Sequence, residues 1–190
     1  LAQAIQKTLG LPKATLSKLL DLVTLGTICD IVPLVDENRT LVKYGLRSIN
    51  ANKRIGMTSM RQVVGLMDKE VTAGRIGFVI GPCFNAAGRL EEARHGVELL
   101  IAKDRNKARK LASYLFSLNK ERQLVQEGGE KFCKNLVEQK YRDSDFLVLR
   151  ADNLSEGVIG IVAGKMKDMF YKPTLVVSKS EEGHLKGSGR

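Results

Sequence analysis

Several residue types are scarce. The sequence has no tryptophan, 5% aromatic residues, two histidines and three cysteines. With so few rings, base stacking cannot dominate any binding of nucleic acid. The cysteines (Cys29, Cys83 and Cys133) form no CxxC pair and have no histidine at metal-ligand spacing, which argues against a disulfide framework and a zinc site. We expect buried, neutral thiols in a reducing cytoplasm.

Long apolar runs are also lacking, since none approaches the roughly 20 residues that a bilayer-spanning helix needs. The first residues, "LAQAIQKTLG", lack the pattern of a signal peptide. We therefore expect a cytoplasmic protein without a membrane partner. The sequence has no initiating Met, and we interpret its end, "HLKGSGR", as a glycine-rich turn with no strand after it. Both features predict an excised piece of a longer protein.

What remains is enough for a folded core, because 43% of the 190 residues are hydrophobic. The formal net charge is +10, and it is unevenly spread. Residues 38 to 67 contain no acid, and their cations are Arg39, Lys43, Arg47, Lys53, Arg54 and Arg61. This basic stripe favours a polyanionic ligand, nucleic acid above all, over a merely solvated helix face.

The apolar spacing predicts a mainly helical first part. We expect helices starting at Thr15 and running into "LGTICD", over residues 39–50, from about Ser59 to Met67, and over "EEARHGVELLIA". Between the last two, "GRIGFVIGPCFNAAGRL" (74–90) contains four glycines, and we interpret it as a loop–strand–loop element whose backbone approaches a neighbour closely.

A long helix is predicted to begin at Asp104 as N-cap, with a kink or an end at Gly128 and Gly129 and a further helical stretch to about residue 140. The pattern then changes to strand ("DFLVLRA"), helix ("GVIGIVAGKMKDMF") and strand ("KPTLVVS"). This order predicts a βαβ unit with parallel strands.

Asp30 is the first candidate for chemistry, because it follows the apolar segment "DLVTLGTIC" and its neighbours look buried. A buried carboxylate needs compensation, so Asp30 would cap a helix, pair with an arginine, or bind a hard divalent cation such as Mg²⁺ or Mn²⁺. The residues alone leave these alternatives open. One carboxylate is not a metal site, and His95 and His184 are isolated.

Two short motifs could bind phosphate. In "NAAGR", Asn85 can hydrogen-bond from both ends of its amide, and Arg89 offers a planar fork suited to phosphate oxygens. Alternatively, the motif is a tight turn in which Arg89 pairs with a following glutamate. In "GSGR", Ser188 and Arg190 would add a hydroxyl and a guanidinium to backbone N–H groups that the glycines leave free for an anion.

Taken in order, the longer segments resemble the bacterial RecJ family of single-strand-specific exonucleases, within the DHH/DHHA1 phosphoesterase superfamily. The segments are "LDLVTLGTICDIVPLVDENRTLVKYGLRSI", "RIGFVIGPCFNAAGRLEEARHGVELLIA", "LNKERQ", "EGVIGIVAGKM", "YKPTLVVS" and "KGSGR". The resemblance covers nearly the whole chain, and the first two segments are specific to this family within the superfamily. It implies an α/β fold: the C-terminal helical part of a DHH domain with the NAAGR element (1–103), a long connecting helix (104–140), and the start of a truncated DHHA1 domain with its βαβ unit (141–190).

The resemblance also implies an activity, the 5′-to-3′ hydrolysis of single-stranded DNA to mononucleotides in DNA repair and recombination. The cofactor would be Mn²⁺ or Mg²⁺ at a two-metal site, with Asp30 as one ligand and Arg89 on the phosphate at the reaction centre. Ser188 and Arg190 would receive the 5′-terminal phosphate. The other ligands, on the DxD and DHH motifs, are expected upstream of Leu1, so this chain alone should be inactive.

The sequence departs from the family at Ser155, where many relatives carry histidine, and at Cys83, where arginine is common. Expected partners are single-stranded DNA, a helicase and a single-strand-binding protein. Two other functions remain open: a DHH-family phosphodiesterase acting on short oligonucleotides or cyclic dinucleotides, and a non-catalytic single-strand-binding module.

Overall fold

The structure is a computed structural model that describes residues 2–12, 14–90, 93–180 and 183–190, with only the backbone of Ala2, Arg89 and Leu90. It divides into two compact units, residues 1–85 with 93–116 and residues 86–92 with 117–190. The described part of the first unit is helical, and the second combines helices with a three-stranded sheet. The α/β fold class is thereby confirmed. Within the described residues, no helix is both long and apolar enough to span a bilayer.

The first unit contains the helices α1 (Ala2–Thr8), α2 (Ala14–Ser17), α3 (Leu20–Cys29), α4 (Asp36–Asn50), α5 (Ile55–Val63), α6 (Ala73–Arg75), the first half of α7 (Gly81–Leu90), α8 (Arg94–Ile101) and the start of α9 (Arg105–Leu136). The helix predicted over 39–50 is confirmed as the larger part of α4. The single helix predicted from Thr15 is wrong, because the chain forms two helices there. The helix expected from Ser59 begins four residues earlier.

Helices α3 and α4 pack closely because Gly45 has no side chain. A Cβ atom built on Gly45 would lie 1.8 Å from Thr24 Oγ1 and 2.3 Å from the carbonyl oxygen of Leu20. Val42 and Ile49, on the same face of α4, are 4% and 1% exposed. The opposite face of α4 is therefore left to carry its charged residues.

The loop–strand–loop predicted for residues 74–90 is wrong, because this segment is helical throughout. A π-helical turn (Ile76–Ile80) connects α6 to α7. The glycines do allow close approach, as expected: a Cβ on Gly81 would lie 2.6 Å from Cys29 Sγ. The glycine density thus reflects tight packing of a helix against α3, and not an irregular backbone.

Helix α9 begins as predicted, since the carboxylate of Asp104 accepts a hydrogen bond from the backbone N–H of Lys107 at 2.6 Å. The helix end predicted at Gly128 and Gly129 is wrong, because α9 continues to Leu136, and the helical stretch predicted to about residue 140 is completed by a π-helical turn over Val137–Tyr141. A Cβ on Gly129 would lie 2.5 Å from a methyl group of Leu154. This glycine provides space for packing inside an unbroken helix.

The second unit contains the predicted βαβ unit. Its strands and helix are β1 (Leu147–Arg150), α10 (Glu156–Phe170) and β2 (Thr174–Lys179), and β1 and β2 are parallel. A third strand, β3 (Leu185–Gly189), pairs antiparallel with β2, with Val176 opposite Ser188. The turn predicted at "HLKGSGR" is therefore wrong in part, because the backbone of this segment hydrogen-bonds to an edge of the sheet. Val158, Val162 and Met166 of α10 are fully buried in the core of this unit.

The three cysteines are free thiols. Cys83 and Cys133 are fully buried, and Cys29 is half-buried. Burial raises the pKa of Cys133 to about 11. The prediction of a buried, neutral thiol is confirmed for Cys133. Cys29 is less buried than predicted.

Candidate functional site

Asp30 is the C-cap residue of α3, and its backbone N–H donates to the carbonyl of Gly26 at 3.0 Å. Its side chain is exposed, and Ile31 after it is 88% exposed. The buried apolar setting predicted for Asp30 is therefore wrong within the described part of the chain. The apolar residues after Asp30 lie in the irregular connection to α4 and not on the packed face of α3.

The position of Asp30 is nevertheless unfavourable for a carboxylate. The last carbonyl groups of a helix carry partial negative charge, so an anion at that end is destabilising unless a cation joins it. The next residue, Ile31, has a φ of 56°, in the left-handed region that β-branched residues rarely adopt. An unfavourable charge next to a strained backbone indicates selection for something other than stability.

The buried carboxylate of this segment is Asp21, which the sequence reasoning missed. Asp21 is 3% exposed, and it accepts hydrogen bonds from Arg54 Nε at 2.5 Å and Arg54 Nη2 at 3.0 Å. The same guanidinium donates to the carbonyls of Lys18 and Leu100. The pairing with arginine considered for Asp30 thus occurs nine residues earlier. A carboxylate in the first turn of a helix was a sequence signal for Asp21, but its partner, 33 residues away, was not readable.

A metal site would need more ligands than the described residues provide. Among them, no three His, Cys, Asp or Glu side chains cluster closely enough to hold a metal ion. The exposed carboxylate of Asp30 has the oxygen chemistry that Mn²⁺ and Mg²⁺ prefer, and it fits as one ligand of such an ion. Burial, and then the charge of Asp30, raise the pKa of the adjacent Cys29 thiol, so that thiol stays protonated beside the carboxylate.

The NAAGR motif lies in α7. Asn85 is exposed, and Ala86 and Ala87 are fully buried. The tight turn considered for this motif is wrong, because its backbone is helical through Leu90. The side chain of Arg89 and the two glutamates after it lie outside the described residues. The role predicted for Arg89 therefore stays a prediction.

Ser188 and Arg190 converge on Gly160 in the second turn of α10. A Cβ atom on Gly160 would lie 3.0 Å from Ser188 Oγ and 3.1 Å from Arg190 Nη2. The missing side chain at position 160 therefore lets a hydroxyl and a guanidinium lie directly against the helix. Sequence reasoning found Ser188 and Arg190 but missed Gly160, because the contact depends on how β3 lies over α10.

This cluster has the chemistry of an anion site. The N-terminal end of α10 carries partial positive charge, and Arg190 adds a full positive charge two residues from the Ser188 hydroxyl. Glu156, in the first turn of α10, is neutralised by Lys186 at 2.8 Å. Ser155 is the N-cap residue of α10 without a side-chain capping bond.

One backbone N–H of "GSGR" is used differently from the prediction. The N–H of Arg190 donates to the carbonyl of Thr174 at 2.8 Å, and the N–H of Thr174 donates back to the carbonyl of Arg190 at 3.0 Å. This N–H is therefore committed to the sheet and not to an anion. The side chains of Ser188 and Arg190 take no part in this backbone pairing and could bind a phosphate.

The chain is similar to exonucleases named as specific for single-stranded DNA. It is 40% identical to RecJ of Dickeya dadantii over 186 residues, which is 95% of this chain and 32% of that protein. It is 38% identical to RecJ of Bacillus subtilis over 174 residues, 91% of this chain and 22% of that protein. The chain thus spans about a third or less of the length of these curated relatives. No family model matches it.

Solved structures agree with the sequence relatives. The chain superposes on Thermus thermophilus RecJ in complex with Mn²⁺ with a TM-score of 0.80 and 34% identity, over 92% of this chain and 26% of that one. A Mg²⁺ complex of the same protein gives the same TM-score and identity, and 27% of that chain is covered. By sequence and by fold, the 190 residues correspond to a segment of the RecJ exonucleases.

Proposed function

We propose that this chain is part of a metal-dependent exonuclease that degrades single-stranded DNA from its 5′ end and releases mononucleotides during DNA repair and recombination. Similarity to RecJ exonucleases over more than nine-tenths of the chain supports the reaction. The observation that carries it at the level of residues is Asp30, an exposed carboxylate held at the negative end of a helix next to a strained residue. A divalent cation would offset that unfavourable charge.

Mn²⁺ or Mg²⁺ is the proposed cofactor, with Asp30 as one ligand and the remaining ligands supplied from outside the described residues. When bound, a pair of such ions supplies a water of lowered pKa and neutralises charge on the attacking and leaving oxygens. Asp30 would orient its ion through the rigid end of α3. Arg89 would stabilise the charge on the equatorial phosphate oxygens, which is worth about 3 kcal/mol for one well-placed donor. Asn85 would hydrogen-bond the same phosphodiester.

Ser188 and Arg190 are proposed to bind the 5′-terminal phosphate. Their convergence on Gly160, near the positive end of α10, supports this assignment. An enzyme that holds the terminal phosphate cleaves at a fixed distance from it, and this would give the reaction its 5′-to-3′ direction.

The proposed surroundings of the reaction follow from its substrate. An exonuclease restricted to single strands depends on a supply of unwound DNA, so we propose a helicase and a single-strand-binding protein as partners. We place the protein in the cytoplasm, where DNA is accessible in bacteria and where free thiols such as Cys133 persist.

The metal role is tested by Asp30→Ala in the complete enzyme, with Asp36→Ala as control. Asp36 is also exposed, but it lies in the first turn of α4, where a carboxylate is favourable. We expect Asp30→Ala to weaken Mn²⁺ binding measured by calorimetry and to lower cleavage of a labelled oligonucleotide at least a hundredfold, with DNA affinity unchanged. Asp36→Ala should change none of the three.

Two results would contradict the proposal. Full cleavage and full Mn²⁺ binding in Asp30→Ala would show that this carboxylate is not a ligand. Rapid turnover of dinucleotides without degradation of long single strands by the wild-type enzyme would favour a phosphodiesterase for short substrates.

A further inference from the structure

A groove runs along α4 in the first unit, with a volume of about 840 Å³. Its lining combines apolar side chains from α4 and from the segment after α5 with a set of cations. The apolar lining includes Val42, Leu46 and Met67. The cations, apart from one buried arginine, are Arg39, Lys43, Arg47 and Lys69. The groove therefore offers an apolar surface next to a positively charged rim.

The cations on α4 are regularly spaced. Arg39, Lys43 and Arg47 follow each other at intervals of four residues, so they lie on one face of the helix about 6 Å apart along its axis. All three side chains are exposed. The guanidinium of Arg47 lies over the ring of Tyr44, 5.2 Å from its centroid, which restrains its position. A row of evenly spaced cations matches a ligand with evenly spaced anions.

The structure separates the members of the basic stripe. Arg54 is committed to the buried carboxylate of Asp21. Arg61 is 3% exposed and donates to main-chain carbonyls. Lys53 is exposed but lies outside the groove, in a separate depression that Asp21 and Arg54 also line. Of the described members of the basic stripe, Arg39, Lys43 and Arg47 combine exposure with a position on the groove, and Lys69, outside the stripe, is also exposed there.

The opposite wall of the groove is held by Arg61. Its Nη1 donates to the carbonyl of Ile49 at 3.2 Å, near the end of α4, and its Nη2 donates to the carbonyls of Leu66 and Lys69 at 3.2 and 3.1 Å. This wall also carries two acids, Asp68 and Glu70. Repulsion from these carboxylates would keep a polyanion on the α4 side of the groove.

We propose that the α4 groove binds single-stranded DNA without sequence preference. The phosphates follow Arg39, Lys43 and Arg47, and the bases lie over the apolar lining around Leu46 and Met67. A duplex keeps its base faces stacked inside, so it would leave this apolar surface unused. The identification of the ligand as DNA rests on the proposed function. The groove and its row of cations are features of the structure and are independent of that proposal.

The test is binding of the complete enzyme to a 20-residue oligothymidylate with a 5′-hydroxyl end, measured by fluorescence anisotropy in EDTA. Without a terminal phosphate or a metal, the assay does not depend on Ser188, Arg190 or Asp30. Lys43→Gln and Lys53→Gln form a matched pair, because both remove one exposed lysine from the same stripe. We expect Lys43→Gln to weaken binding several-fold and Lys53→Gln to leave it within a factor of two.

A triple variant, Arg39→Gln with Lys43→Gln and Arg47→Gln, measures the number of phosphate contacts. Three lost contacts on a single strand flatten the plot of log K against log salt concentration by about 2. The wild-type chain would therefore lose about twentyfold more affinity than the variant between 50 and 200 mM salt. Circular dichroism should show equal melting temperatures, because all three side chains are exposed.

Equal effects of Lys43→Gln and Lys53→Gln would overturn the groove in favour of a diffuse basic surface. An unchanged salt dependence in the triple variant would overturn it as well. Displacement of the oligonucleotide by polyglutamate, at a concentration equal to that of competing oligothymidylate, would overturn nucleic acid as the ligand. If Asp30→Ala loses cleavage but still binds the oligonucleotide with wild-type affinity, the proposal that the groove binds DNA is supported.

Discussion

Replacing Gly160 by alanine should separate the stability of the second unit from its recognition of a 5′-phosphate. Alanine is favoured over glycine in a helix interior by about 1 kcal/mol, so the helix itself gains stability. The new Cβ would lie 3.0 Å from Ser188 Oγ and 3.1 Å from Arg190 Nη2. Optimal contacts are about 3.5 Å or longer, so both groups must retreat by about half an ångström. The ends of side chains can do so without disturbing the core.

The expected loss is in phosphate binding. A hydrogen bond to a charged group contributes about 1.5–3 kcal/mol, and a displaced guanidinium should lose about 1.4 kcal/mol of that, which is tenfold in affinity. The assay compares the affinity for 5′-phosphorylated and 5′-hydroxyl oligonucleotides, together with thermal unfolding. Gly160→Ala should reduce the preference for the phosphorylated end about tenfold, with a melting temperature equal to or above that of the wild type.

Gly164→Ala is the matched control, because Gly164 lies one turn further along α10 and a Cβ there would meet no atom within 4 Å. It should gain the same helix stability and keep the preference. Arg190→Ala provides the reference for a lost phosphate contact. If Arg190→Ala abolishes the preference and Gly160→Ala leaves it unchanged, the reasoning about Gly160 is refuted. If neither changes it, the phosphate pocket itself is refuted.

Two further substitutions test the packing of the first unit. Asp21→Ala leaves the guanidinium of Arg54 without its carboxylate in a largely buried site. This substitution should lower the free energy of unfolding, measured by urea titration, by about 3 kcal/mol. A change below about 1 kcal/mol would show that the ion pair contributes little. Gly45→Ala places a Cβ 2.3 Å from the backbone oxygen of Leu20 and should lower the free energy of unfolding by about 3 kcal/mol. Gly26→Ala is the control, because a Cβ there has no atom within 4 Å and should leave the stability unchanged or raise it. Equal effects of the two substitutions would contradict the close contact of α3 and α4.

Local patterns predicted the regular elements well. The alternation of apolar and charged residues at helical spacing identified most of α4, and the continuous apolar segments identified β1, α10 and β2. The segment 74–90 was misjudged because glycines were counted as breakers of a helix. In the structure, Gly81 makes room for Cys29, a contact between two helices that composition alone does not reveal.

The candidate site was predictable only where a single residue carries the signal. Asp30 stands out by type and position, but the sequence does not show that it is exposed. The burial of Asp21 depends on Arg54, a partner far away in sequence. Ser188 stands out between two glycines, and Arg190 stands out directly after the second one. The role of Gly160 depends on the register of β3 and its contact with α10, which no short motif encodes.

The hydrogen bonds of Arg61 bear on how fast a ligand can enter the α4 groove. A guanidinium stays protonated at any physiological pH, so the wall formed by Leu66 to Lys69 is held in place before a ligand arrives. Little of this wall has to be ordered on association, and the entropy cost falls mainly on the incoming strand. Association should then be limited by diffusion and orientation, with a rate that rises as salt falls, and without a slow conformational phase.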